Sequence, residues 1–80
     1  MILTELPPRT VAVIDAVQDS GENDAIARRL RELGFVAGEA VSVVAAGPFG
    51  AEPLLVQVGF TRFALRRTEA ARVRLRGETR

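Results

Sequence analysis

Histidine, cysteine, tryptophan and tyrosine are all absent from these 80 residues. Without cysteine there are no disulfide staples and no thiolate metal sites. Without histidine as well, a transition-metal site would need carboxylates alone, and the acidic residues form no close cluster with ligand spacing. Ser20 and Ser42 have no histidine to activate them, so nucleophilic and acid–base catalysis lose their commonest residues. No catalytic set, no metal ligand and no cofactor is therefore expected. Long apolar runs are missing too: none approaches the roughly 20 residues that span a bilayer. The opening MILTELPPRT has no basic stretch followed by an apolar core, so it does not read as a signal peptide. A cytoplasmic location and no direct membrane insertion are the expectation.

Lysine is also absent, and all eleven basic residues are arginine. What is present is globular in character, at 48% hydrophobic and 26% charged. Eighty residues make one domain near the lower limit of a self-sufficient core. The net charge of +1 is unevenly spread. Residues 1–40 hold four arginines against seven acids, and residues 41–80 hold seven arginines against three. The basic half could attract nucleic acid or an acidic partner. A solvated face balanced by the acidic half accounts for the same pattern.

Along the chain, Leu3 to Pro8 reads as a single helical turn capped by Thr4 and stopped by the prolines. Thr10 to Val17 (TVAVIDAV) is β-rich and roughly alternating, hence a strand. Turn chemistry follows at 19–23, and Asn23 or Asp24 can cap a helix to about Leu33. That helix carries Ile26, Leu30 and Leu33 as an apolar stripe. Its acid and arginines stand in dipole order, with Asp24 four residues before Arg28 for an exposed pair. Gly34 falls at the C′ position, so a left-handed Gly34 makes Leu30 and Phe35 the apolar pair of a Schellman ending. Val41 to Ala45 is a second strand, 47–53 a loop rich in glycine and proline, and Leu54 to Val58 a third strand. Gly59 marks a bulge or bend, and Phe60 to Leu65 can continue as a fourth strand. Thr68 caps a last helical turn, 73–75 closes the sheet, and 77–80 is expected to fray. The domain therefore spans 1–76. Short strands with one helix inserted after the first suggest a mainly β, small, partly open barrel of about five strands.

Four pieces, in order, resemble one family. They are Leu3…Leu6-Pro7; Arg29-Leu30-Arg31-Glu32-Leu33-Gly34-Phe35…Gly38; Gly47-Pro48-Phe49-Gly50…Pro53-Leu54; and Ala64-Leu65-Arg66-Arg67…Glu69-Ala70 before Val73. Together they resemble the FeoA family, small accessory proteins of bacterial ferrous-iron uptake. Two positions depart from its pattern. Arg9 stands where the family's first turn has glycine, and Ala37 where proline precedes the glycine at 38. An arginine at 9 could force a different turn before the first strand. The resemblance implies an SH3-like β-barrel with a helical insertion. It also implies a non-catalytic role docked on FeoB, the ferrous-iron permease, at the inner membrane face.

Which surface docks has several candidates. The Schellman ending explains Gly34 and Phe35 without any binding role. Alternatively, Leu33 and Phe35 flank an exposed apolar patch. Arg28 and Arg31 share a helix face and suit an acidic partner. Pro48 and Phe49 sit at the centre of the expected loop, where they either dock or fold back onto the barrel. Arg66 either braces the closing strand or presents charge. Other functions are argued down by composition. Base-stacking barrels and proline-peptide grooves need aromatics, and here there are only four phenylalanines. The SH3-like domain of a metal-dependent transcription regulator is the nearest alternative, but no helix-turn-helix precedes it.

Overall fold

The computed structural model of the chain describes residues 1–49 and 52–76, and for 48 and 49 the backbone alone. A 3-10 turn at Leu3–Glu5 leads into β1 (Val11–Val17), followed by helix α1 (Ala25–Leu33). Strands β2 (Ala40–Phe49), β3 (Glu52–Val58) and β4 (Thr61–Leu65) come next. The short helix α2 (Arg67–Ala70) and β5 (Val73–Leu75) complete it. The strands form one antiparallel sheet in the order β4-β3-β2-β1-β5. This is the expected mainly β architecture with a helical insertion after β1.

Alternation builds the core. In β3, Leu54, Val56 and Val58 point inward, and Val41 and Val43 of β2 face them. β1 breaks the period: Ile14 and Val17 are buried while Ala16 is exposed. Its register against β5 shifts between Ile14 and Ala16, and the extra residue at a bulge swaps the faces. Phe35, Leu3, Ile14, Val41, Val56 and Val73 are the largest fully buried side chains.

Helix α1 is specified at both ends. The Asp24 carboxylate accepts from the Ile26 and Ala27 amides at 3.1 and 3.2 Å, satisfying two of the helix's free donors. At the other end Gly34 is left-handed (φ 112°). The Phe35 amide donates to the Leu30 carbonyl at 3.0 Å, and the Gly34 amide to Arg31 at 3.1 Å. That is the complete Schellman ending. Leu30 and Ala27 are buried, while Ile26 and Leu33 pack at the margin of the core.

Several local expectations are corrected. The 3-10 turn starts beside Ile2, whose amide donates to the Glu5 carboxylate, so Thr4 is not its cap. α2 likewise begins after Arg66, whose amide donates to the Glu69 carboxylate, so Thr68 lies inside it. The 47–53 loop is largely strand: β2 runs on to Phe49, which pairs with Glu52, and only 50–51 lie between the strands. Gly47 serves a close approach, because a Cβ there would collide with the Glu52 carbonyl. Conversely, Phe60 is not strand. It forms a two-residue turn with Gly59 (φ 59°) between β3 and β4. Arg9 does not divert the chain; it takes the left-handed conformation itself (φ 64°), with its amide on the Val43 carbonyl at 2.7 Å. The expected fraying of 77–80 lies outside the described residues.

Candidate functional site: a cleft between the inserted helix and an open strand edge

The two outer strands of the sheet are treated differently. β5 is covered by the N-terminus: Ile2 bridges Arg74, and the Leu75 amide donates to the Met1 carbonyl at 2.9 Å. β4 pairs with β3 alone among the described residues. Beside it lies a half-open cleft of about 400 Å³. Ala25, Ile26, Arg29 and Leu33 of α1 form one wall, and Phe63, Ala64 and Leu65 of β4 the other. Glu69 of α2 closes one end.

The sequence sets this arrangement through helical spacing. On α1, Ala27 and Leu30 turn to the core, so Ile26, Arg29 and Leu33 occupy the flank beside it, one turn apart. The floor is aromatic. Phe63 is half-buried, and its ring sits 5.7 Å from that of Phe35 at a tilt of 49°. Phe35 itself is fully buried, so it supports the cleft from below and cannot be part of an exposed patch. The alternative reading, in which Leu33 and Phe35 flank an exposed patch, is thus corrected: Leu33 lines the cleft with Ile26 and Phe63.

The arginines separate as well. Arg31 is engaged: its guanidinium donates to the Val17 carbonyl at 2.7 Å and lies 3.2 Å from the Asp19 carboxylate, tying α1 to the end of β1. Arg31 remains exposed, as does Arg28 one turn before it, and neither lines the cleft. Arg29, between them in sequence, is the one at the cleft. Arg66 is exposed just past β4, at the start of α2. The side chains of Pro48 and Phe49 lie outside the described residues.

Sequence reasoning missed two residues. Asp24 is paired not with Arg28 but with Arg72, 48 positions away, at 2.7 Å. The Arg72 guanidinium also donates to the Ser20 hydroxyl and the Thr68 carbonyl, and Asp24 accepts from the Ser20 amide. This clasp joins the start of α1 to α2 and β5. The Arg72 hydrogen bond, followed by that from the Ser20 amide, holds the Asp24 carboxyl well below the usual carboxylate range. No local spacing announces such a pair. The second is Phe60, fully exposed at its turn and the large aromatic most open to solvent among the described residues. Its signal was present in Gly59, read as a bend, with the residue after it assigned to a strand. Among the described residues, no three potential metal-ligating side chains come together.

Comparison with known proteins places these features. The FeoA domain family model matches residues 1–77. The crystal structure of Stenotrophomonas maltophilia FeoA in complex with zinc is 68% identical, with a TM-score of 0.88 over 95% of this chain and 89% of that one. That protein is described as a prokaryotic SH3 domain protein and suggested to be a bacterial ferrous iron transport activating factor. The solution structure of iron(II) transport protein A from Clostridium thermocellum is 31% identical, with a TM-score of 0.79 over 94% of this chain and 44% of that one. FeoA from Chlorobium tepidum, also solved in solution, is 31% identical, with a TM-score of 0.78 over 94% and 68%. No curated protein matches the sequence.

Proposed function

The chain belongs to the FeoA family, and from that premise we propose that it is a non-catalytic regulator that docks on an FeoB-type ferrous-iron permease. It acts at the inner face of the cytoplasmic membrane and modulates iron(II) uptake by surface contact. The family is one of ferrous-iron transport accessory factors with an SH3-like fold, not of catalysts. No helix among the described residues is long and apolar enough to cross a membrane, so passage of iron is assigned to the partner.

The observation that carries the docking reading is the cleft between α1 and β4. Apolar Ile26, Leu33 and Phe63 line it, with Arg29 on its helix wall. Arg66 stands next to it on the chain. Docking there shifts the permease between states to the extent that the two states bind with different affinity. Co-purification with the permease of the same organism, with and without guanine nucleotide, is the test. Association is expected in at least one condition, and its absence in both removes the adaptor role.

A further inference from the structure

The register of β4 fixes which of its backbone groups are free. A two-residue turn makes Val58 and Thr61 a hydrogen-bonded pair, and bonded pairs then alternate along an antiparallel ladder. Phe63 and Leu65 therefore bond to Val56 and Leu54. Arg62 and Ala64 direct their N–H and C=O groups away from β3, and no backbone partner meets them among the described residues. Ala64 borders the cleft. Side chains alternate the other way, so Phe63 and Leu65 face inward and Arg62 and Ala64 outward.

We propose that the cleft receives an extended peptide segment of a partner protein, added to the edge of β4 as a sixth strand. The proposal rests on the docking function above for the existence of a partner; what it adds is the mode and chemistry of capture. Two N–H and two C=O groups spaced along a strand edge are matched by another extended main chain, whereas a helix keeps its own backbone bonds internally. α1 lines the far side of the cleft and so bounds an added strand on that side. The occupant's inward side chains fall beside Phe63 and meet Ile26 and Leu33, so they are apolar. Its outward side chains lie beside Arg62, whose guanidinium also donates to the Gln57 side chain at 3.0 Å, so they are acidic there, and Arg29 adds positive charge on the helix wall. At the other end stands Glu69, which disfavours an acid there. The expected motif alternates apolar and acidic residues over the first positions and ends neutral or basic.

The probe is a synthetic seven-residue peptide alternating valine with aspartate and ending in lysine, titrated to millimolar concentration into the full chain and followed by amide NMR. Binding should shift the Arg62 and Ala64 amides and slow their exchange by about ten-fold at saturation. Methylating the peptide nitrogens that face β4 should weaken binding by about ten-fold or more, equivalent to ~1.4 kcal/mol. Ala64→Pro removes the outward N–H at a place where an edge strand tolerates proline, and should do the same. If that variant does not fold, the methylated peptide on the unaltered chain decides alone. No shift at Arg62 and Ala64, or equal binding of the methylated peptide, overturns the proposal. The permease's cytosolic part, added under the same conditions, separates the two readings. Association that leaves both amides unchanged sinks strand addition only; peptide binding without permease association sinks the docking function only.

Discussion

The two edges of this sheet carry opposite solutions to one problem. An edge strand presents unpaired N–H and C=O groups and invites other chains. At β5 the chain covers them with its own N-terminus, and the Arg72–Asp24 clasp locks the neighbouring helices. At β4 no further strand pairs among the described residues, and α1 forms the facing wall of a cleft beside it. One side of the sheet is tied down while the other, where docking is proposed, is left open, and the Phe35 and Phe63 rings meet at 5.7 Å beneath the open side.

That division can be broken by mutation. The largest effect is expected at Phe35, whose truncation to alanine empties a fully buried site at a cost of about 3–5 kcal/mol. Urea unfolding measures it, and a loss below about 1 kcal/mol would move Phe35 out of the core. Next comes the clasp. The depressed Asp24 carboxyl contributes stability that is fully present above the unfolded carboxylate value near 3.9 and is lost as pH falls below it. Arg72→Ala should lower the melting temperature at neutral pH and flatten its fall below about pH 4. An unchanged acid profile would deny the pair its role. Smaller still is Arg9→Gly. Relieving a left-handed arginine gains about 1–2 kcal/mol, and the added freedom of the unfolded chain returns about half of it, so a net stabilisation under about 1 kcal/mol is expected. Phe60→Ala should change stability by no more than about 0.5 kcal/mol, since the side chain touches solvent and not the core. A larger loss would place Phe60 in packing and narrow the contrast between the halves.

What the sequence made legible was local. Helix α1 was readable because cap, apolar stripe and glycine stop lie within twelve residues, and each acts through a bond to a near neighbour. The strands were readable from alternation, except where a bulge at Asp15 inverts the faces of β1. Gly47 misled because glycine marks both turns and close approaches, and only the position of Glu52 distinguishes them. Arg72 was invisible for the opposite reason: its side-chain partners lie 48 and 52 residues away, and charge alone does not choose among ten acids. The cleft needed both limits overcome at once. Arg29, Leu33 and Phe63 are ordinary in sequence and become a site only because β4 ends the sheet beside α1.

Amide hydrogen exchange on the free chain tests the contrast between the edges most directly. Arg62 and Ala64 should exchange near unprotected rates, while Phe63 on the same strand and Leu75 under the N-terminal strap are protected by orders of magnitude. Equal protection of Ala64 and Leu75 would mean that both edges are covered, and that the cleft beside α1 is not open to a partner.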